Sequence, residues 1–144
     1  MLTDSEKKDV IPMLQEVPLF SSLDKKSIRR IADSAGKKSY KNGDTIVKEG
    51  EKGISFYLVL EGGVEVRRRG KKLTKLGKGQ FFGEMTLFDE QPRSADVIAT
   101  EDTTCILLNS WTFAGVMAAN PKIAQGIIKE LVRRLRETNK AFTD

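Results

Sequence analysis

Short apolar runs separated by glycine-containing turns fill the middle of this chain, from Lys38 to Leu108. Each run has strand-like composition, and glycine supplies the backbone freedom that a tight turn requires. Many short strands with such turns are typical of a β-sandwich or a jelly roll. The run Phe56–Leu60 is apolar throughout, so we expect both of its sides to be covered. The predicted strands are Ser39–Tyr40, Thr45–Lys48, Ser55–Leu60, Val64–Arg68, Lys71–Leu76, Ala95–Ala99 and Thr104–Leu108.

Helical patterns precede the strands. Thr3 and Glu6 have the spacing of a capping box, and the helix that they begin should stop before Pro18. Asp24 opens a second short helix, which we expect Gly36 to end.

Two further helices follow the strands. Asn109 or Ser110 should cap the first, and Asn120-Pro121 begins the second, because proline is tolerated at the first helical position. We therefore predict a mainly β fold with flanking helices, a double-stranded β-helix (jelly roll) with N-terminal helices and a long C-terminal helix. The chain should form one domain, residues 1–144, divided into helices at 1–36, the roll at 37–108 and helices at 109–144.

The residue types exclude several kinds of chemistry. The chain contains no histidine, and Cys105 is its single cysteine, which argues against disulfide frameworks and against zinc or haem sites. We therefore expect that the protein is not an enzyme and that it binds no metal and no cofactor. Residues 1–9 are polar and mixed in charge, unlike a secretory signal, and no apolar run is long enough to span a bilayer. These features predict a cytoplasmic protein.

One stretch has the chemistry of an anion site. The pattern Gly83-Glu84-Met85 predicts the first turn of a short helix, whose first N–H groups lack internal partners and attract an anion. Arg93 is close enough in sequence to add a permanently charged guanidinium. Glu84 would repel the anion unless it accepts hydrogen bonds from hydroxyls on the same ligand, which describes a ribose phosphate. The alternative is a structural Arg93–Glu84 salt bridge.

The run FGEMTLFDEQPRSA, residues 82–95, closely resembles the phosphate-binding cassette of cyclic-nucleotide-binding domains. That family includes the bacterial catabolite activator, protein kinase A regulatory subunits and cyclic-nucleotide-gated channels. The upstream runs NGDTIVKEGEKG and FYLVLEGGVEV are similar to its strands and turns, so the similarity covers nearly the whole chain. The resemblance implies a non-catalytic sensor for a cyclic nucleotide. Cyclic AMP is favoured, and cyclic GMP stays possible because some cyclic-GMP binders carry Thr at the position of Ser94.

The resemblance also implies the contacts. It places Glu84 on the ribose 2′-hydroxyl and Arg93 on the charged phosphate oxygens. The backbone N–H groups of Gly83, Glu84 and Ala95 complete the phosphate cradle with the Ser94 hydroxyl. Apolar walls are expected from Val47, Leu60, Phe82 and Met85, although all four also fit plain core, and Leu60 fits it best.

Base recognition would come from the end of the last helix, which resembles the corresponding stretch of the catabolite activator. On that analogy Thr138 contacts the base in its own subunit, and Asn139 reaches the ligand of a second subunit. The alternative for Thr138 is a hydroxyl satisfied by the helix carbonyl one turn back.

The last helix also carries a row of residues at coiled-coil spacing, namely Ala124, Ile128, Leu131, Leu135, Thr138 and Phe142. A second row, Ile123, Ile127 and Val132, can pack on the roll. We infer that one face serves the domain and the other a second copy, so that the helix forms a homodimer seam. The alternative is one broad stripe lying on the core of a monomer.

Much of the net charge of +5 lies in the run Arg67–Lys72. The run suits a nucleic-acid or acidic-lipid patch, or a hairpin tip kept soluble by charge, and the lack of interleaved aromatic residues favours the hairpin tip. We expect no direct nucleic-acid contact and no membrane segment.

Three functions therefore compete. The first is a regulatory module that binds a cyclic nucleotide and relays binding through the C-terminal helix to an unknown effector protein. The second is a dimerisation or protein-interaction domain of the same fold that binds no nucleotide. The third is a basic nucleic-acid binder.

Overall fold

Two four-stranded antiparallel sheets form the centre of this computed structural model, which describes residues 2–143 and the side chains of residues 2–140. The strand orders are β1-β8-β3-β6 and β2-β7-β4-β5. The strands are β1 Gly36–Tyr40, β2 Thr45–Val47, β3 Ser55–Glu61, β4 Gly63–Arg68, β5 Lys71–Gly77, β6 Phe81–Phe82, β7 Asp96–Ala99 and β8 Thr103–Asn109. The helices are α1 Asp4–Gln15, α2 Lys25–Ser34, α3 Ser110–Ala119 and α4 Pro121–Thr143, with short 3₁₀ helices at Pro18–Phe20 and Glu84–Leu87.

The predicted mainly β fold with flanking helices is confirmed, and all seven predicted strands are present with small shifts at their ends. The sequence analysis missed β6, because two residues are too few to show a period. This strand pairs with β3, with Tyr57 opposite Phe82, and so places the start of the anion-site stretch against the roll.

The predicted helix starts are confirmed by their caps. The Thr3 hydroxyl accepts from Glu6 N at 3.1 Å while Thr3 N donates to the Glu6 carboxylate at 2.9 Å, which completes the capping box. Asp24 accepts from Ser27 N at 2.8 Å at the start of α2. The prediction that Gly36 ends α2 is wrong, since Gly36 already pairs with Leu107 as the first residue of β1.

Strand β3 lies between two apolar layers, as predicted. Phe56, Leu58 and Leu60 pack with the helices, where the Phe20 ring lies 6.0 Å from Phe56. Val59 and Tyr57 face the other way, into the cluster between the two sheets. Burial of both sides gives β3 a fixed position, so the stretches that pair with it are held in place.

Helix α4 is anchored by its first half only. Ile123 and Ile127 are buried, and a side chain at Gly126 would lie 2.6 Å from Cδ2 of Leu23, so glycine permits this close approach. Beyond Glu130 no described side chain of the helix is buried, and Leu135 is 60% exposed.

The two predicted rows of α4 have different outcomes. Ile123 and Ile127 pack on the domain as expected, but Val132 is 44% exposed, so its assignment to the packed row is wrong. Val132 lies beyond Glu130, the last buried residue among the described side chains of the helix. Because Ile128 and Leu135 are also exposed, a broad stripe lying on the core of a monomer does not describe this helix. The side chain of Phe142 lies outside the described residues.

The basic run forms the β4–β5 hairpin. Its turn residues, Arg69 and Gly70, both have left-handed backbones, with φ of 51° and 77°, as a tight two-residue hairpin turn requires. Glu65 pairs with Arg67 and, at 3.8 Å, with Lys72. The run is therefore the charged hairpin tip that the sequence favoured.

Candidate functional site

A left-handed glycine begins the site. Gly83 follows β6 with φ of 78°, a conformation that glycine adopts without strain, and the 3₁₀ helix Glu84–Leu87 starts directly after it. A side chain at Gly83 would overlap the Arg93 guanidinium and lie 3.0 Å from Ser55 O. The predicted short helix is therefore present, as a 3₁₀ helix. Only glycine fits both the turn and the closeness of the arginine.

The backbone around Arg93 is fixed by the loop between β2 and β3. Arg93 N donates to Glu51 O at 2.8 Å, and Gly50 N donates to Arg93 O at 2.8 Å. Lys52 and Pro92 form an isolated antiparallel bridge beside them. These contacts determine where the arginine side chain starts.

The Arg93 guanidinium is then held by three neighbours. Nη2 donates to Ser55 O at 2.5 Å and Nη1 donates to the Thr86 hydroxyl at 3.2 Å. The guanidinium carbon lies 5.8 Å from the centre of the Tyr57 ring, within cation–π range. The group is oriented before any ligand arrives, which lowers the entropic cost of binding.

No carboxylate forms an ion pair with Arg93 among the described side chains of residues 2–140. Burial lowers the pKa of Arg93, with the nearby Tyr57 hydroxyl acting in the opposite direction. An arginine nevertheless stays charged at physiological pH. The half-buried site therefore carries a positive charge that no acidic side chain neutralises.

Glu84 carries the opposite charge to Arg93 and also lacks a partner for one of its atoms. Its Oε2 is buried and has no hydrogen-bond partner among the described residues. Burial raises the pKa of Glu84, and the charge of Arg134 on α4 acts against that rise. The alternative Arg93–Glu84 salt bridge is absent from the described residues. An acceptor left unpaired in a buried position costs free energy unless something supplies a donor.

A cleft of about 360 Å³ joins these two residues. Its lining is Gly83, Glu84, Met85, Thr86, Asp89, Gln91, Pro92, Arg93 and Ser94. A smaller cavity of about 130 Å³ includes Val47, Gly53, Tyr57 and Arg93 in its lining. Arg93 therefore lines both cavities.

Backbone donors without acceptors lie in and beside the lining of the cleft. Among residues 2–143, we find no acceptor for the N–H groups of Gly83, Glu84 and Ala95. These are the three donors that the sequence analysis assigned to an anion. Together with the guanidinium they form a set of donors suited to a phosphate.

The remaining predicted residues of the cleft occupy varied environments. Phe82 stacks on Tyr57, with ring centroids 4.8 Å apart. Met85 is 58% exposed and lines the cleft. Leu60 is buried in the core, as expected for the better of its two interpretations. Ser94 is exposed, and Ala95 is buried.

The residues predicted for the base lie on the overhanging part of α4. Thr138 is exposed, and its hydroxyl donates to Arg134 O at 3.0 Å, one turn back along the helix. This is the alternative that the sequence left open for Thr138. Asn139 is also exposed.

Sequence reasoning missed the residues that hold the arginine. Ser55, Tyr57 and Thr86 contact Arg93 through a carbonyl, a ring and a hydroxyl, and Gly53 makes room for it. The carbonyl of Ser55 leaves no side-chain signal. Tyr57 did give a signal in the sequence, since it is the only residue with a polar side-chain atom in the run Phe56–Leu60.

The described residues contain neither a candidate metal site nor a candidate membrane span. No group of three or more histidine, cysteine, aspartate or glutamate side chains within them is placed to hold a metal ion. No helix in residues 2–143 combines the length and the hydropathy that crossing a membrane requires.

Comparison with known proteins identifies the family. The model of the cyclic nucleotide-binding domain family matches residues 37–120. A cAMP-dependent protein kinase regulatory subunit from Debaryomyces hansenii is 36% identical over 118 residues, which cover 81% of this chain and 26% of that protein. The chain thus spans about a quarter of the length of the curated relatives it matches.

Solved structures give the same result. The N-terminal domain of a transcriptional regulator from Streptomyces coelicolor A3(2) is similar with a TM-score of 0.84 and 30% identity, covering 90% of this chain and 94% of that one. The structure of cAMP-bound PfPKA-R has a TM-score of 0.69 and 26% identity, covering 97% of this chain and 48% of that one. The chain therefore belongs to the cyclic nucleotide-binding domain family.

Proposed function

We propose that this chain is a non-catalytic regulatory domain that binds cyclic AMP in the cleft between Glu84 and Arg93. The observation that carries the proposal is a pair of unmatched charges. A half-buried guanidinium without an acidic partner lines the same cleft as a glutamate whose carboxylate oxygen is buried without a donor. A single ligand that carries an anion and a hydroxyl would satisfy both.

A cyclic nucleotide has that chemistry. Its phosphodiester would take the Arg93 guanidinium, the free N–H groups of Gly83, Glu84 and Ala95, and the Ser94 hydroxyl. Its ribose 2′-hydroxyl would donate to Glu84. These groups hold a phosphodiester and do not cleave it, because the cleft contains no nucleophile–base pair among its lining residues.

Cyclic AMP is the preferred ligand because of the proteins to which this chain is similar. The similar curated proteins are cAMP-dependent kinase regulatory subunits, and the similar PfPKA-R structure holds cAMP. Thr138 and Asn139 would contact the base once α4 closes over it. The Thr138 hydroxyl can accept from the adenine amino group while it still donates to Arg134 O.

Helix α4 would relay binding. Arg134 lies within electrostatic range of Glu84 and also contacts buried Glu130, with Nε and Oε1 3.4 Å apart. A ribose on Glu84 changes the field that Arg134 experiences, so the position of the overhanging half of α4 depends on the ligand. The exposed row Ile128, Leu131 and Leu135 would pair with the same row of a second copy, forming a homodimer. The effector would be a protein, and the kinase regulatory relatives make a protein kinase the first to test.

Calorimetric titration with cyclic AMP and cyclic GMP tests the proposal. We expect saturable binding with preference for cyclic AMP, and a loss of about 2–5 kcal/mol in Arg93→Ala, because the phosphate would stay buried without its partner. Arg29→Ala removes an equal charge from the exposed face of α2 and should bind as the natural protein does. If neither nucleotide binds, the domain is an interaction module of the same fold. If Arg93→Ala binds normally, the assigned cleft is wrong.

A further inference from the structure

The basic β4–β5 hairpin touches the nucleotide cleft at one point. Arg68 Nε donates to Ser94 O at 3.0 Å. The neighbouring Arg69 N donates to the Glu49 carboxylate at 3.0 Å, and Glu49 N donates to the Asp96 carboxylate at 2.7 Å. The hairpin tip is therefore tied to Ser94, which lines the cleft, and to the loop at Glu49, while Arg68 and Arg69 do not line the cleft themselves.

The Ser94 carbonyl shares a peptide unit with the Ala95 N–H. The described backbone contains no cis peptide bond, so this unit is planar and trans, and its C=O and N–H point in opposite directions. A donor that fixes the carbonyl on one side therefore fixes the direction of the N–H on the other. Ala95 is buried, and its N–H has no acceptor among residues 2–143. Such a group needs a partner.

The other carbonyls of this segment are held differently. Gln91 O accepts from Gly53 N at 3.2 Å, and Arg93 O accepts from Gly50 N at 2.8 Å. Both donors are backbone groups, which every residue except proline supplies. The Ser94 carbonyl is held by a side chain, so its orientation depends on the identity of one residue, Arg68.

We propose that Arg68 is a positioning residue of the nucleotide site, which holds the Ser94 carbonyl so that the Ala95 N–H is aimed at the ligand phosphate. The inference rests on the proposed function, because it assigns the phosphate to the Ala95 N–H. Arg68 does not touch the ligand. Its positive charge also attracts any anion from a distance, so the test must separate the hydrogen bond from the charge.

Two variants of the same turn make that separation. Arg68→Ala removes one positive charge and the donor to Ser94 O. Arg69→Asn also removes one positive charge, but asparagine tolerates the left-handed backbone of this position and keeps the N–H bond to Glu49. In calorimetric titrations with cyclic AMP, we expect Arg68→Ala to bind roughly fivefold more weakly. Arg69→Asn should lose less than about twofold, as an exposed charge does. Equal losses would show that only the charge matters and would overturn the proposal.

A second readout needs no ligand. In the nucleotide-free protein, the amide signal of Ala95 in a ¹⁵N–¹H spectrum should shift in Arg68→Ala and stay in place in Arg69→Asn. An unmoved signal in Arg68→Ala overturns the positioning role. If the natural protein binds no cyclic nucleotide, the proposed function fails, while the Ala95 signal still decides whether Arg68 orients this peptide. Arg68→Met keeps the aliphatic stem without the donor and replaces Arg68→Ala if the latter melts at a lower temperature.

Discussion

A Cβ atom at Gly53 would lie 2.5 Å from Nε of Arg93, a distance that no stable contact allows. The obstacle is a flexible side chain, and the backbone of Gly53 is not in the left-handed region. A methyl group added here would therefore move the guanidinium and leave the fold intact. Position 53 therefore affects the placement of the Arg93 guanidinium, the centre of the proposed site, more than it affects folding.

We predict from this contact that Gly53→Ala weakens cyclic AMP binding by about tenfold, since one displaced charge-assisted bond is worth about 1.4 kcal/mol or more. Thermal unfolding should change by less than about 0.5 kcal/mol. Gly36→Ala is the matched control, because a Cβ there meets nothing within 4 Å. Calorimetry and melting curves on both variants decide the matter. A Gly53→Ala protein that binds with natural affinity would show that the arginine position is unimportant.

Glu84→Gln should stabilise the nucleotide-free protein at neutral pH. Burial raises the pKa of Glu84, so the folded protein keeps this proton to a higher pH than the unfolded chain. The stability that Glu84 contributes is therefore lost as the pH rises above its ordinary value of 4.5. Removing an unpaired buried charge should gain about 1 kcal/mol, or roughly 4 °C in Tm.

The pH dependence provides the control for that prediction. Melting curves of the natural protein and of Glu84→Gln should converge at acidic pH, where both side chains are neutral, and separate as the pH rises. A gap that is constant across the pH range would mean that the variant acts through packing and not through the charge.

The same substitution should change which sugar the protein prefers. Glu84 is the proposed acceptor for the ribose 2′-hydroxyl, so the natural protein should bind cyclic AMP more tightly than its 2′-deoxy analogue. In Glu84→Gln we expect this preference to shrink by about fivefold, the difference between a charged and a neutral acceptor. Competition titrations with the two nucleotides measure the ratio. An unchanged ratio would remove Glu84 from the sugar site.

Leu135→Glu should disrupt the proposed homodimer. Leu135 is 60% exposed in the single chain, and burying a leucine of this kind in a seam contributes about 2 kcal/mol. The dimer dissociation constant should therefore rise by at least about tenfold. Lys129→Ala changes the net charge by the same amount from an exposed position outside the seam row. Light scattering across a protein dilution series distinguishes the variants. A natural protein that is monomeric throughout would exclude this seam.

The turns and helix starts of this fold could be predicted from the sequence because their causes are local. Gly70 suits the left-handed backbone of its hairpin turn, and Thr3 needs only Glu6 to complete its cap. The prediction for Gly36 failed because a distant partner, Leu107, draws it into a strand. The prediction that Val132 packs on the roll failed for a related reason. The spacing of residues along a helix does not show how far along its length the helix is covered by the domain.

The residues of the cleft were predictable in part. Glu84 and Arg93 stand nine positions apart in one recognisable run, and the structure brings them to one cleft. Ser55 holds the guanidinium from 38 positions away, and it does so with a backbone carbonyl that every residue possesses. No pattern of residue types marks such a contact. The Arg68–Ser94 bond is hidden in the same way, because the charge of its hairpin suggested a soluble tip or a surface patch and not a bond to a backbone carbonyl.

Strand β5 lies at the edge of its sheet, beside β4 only, and its outer side is free to add a strand from another molecule. Lys71, Lys72 and Lys75 line this edge, and Leu73 between them is half exposed. A strand added at this edge would lie beside these three positive charges. Two copies of this chain therefore repel one another at β5. The hairpin charge thus guards against edge-to-edge aggregation. High salt, which screens that repulsion, should be the condition under which this protein first forms oligomeric β-sheet.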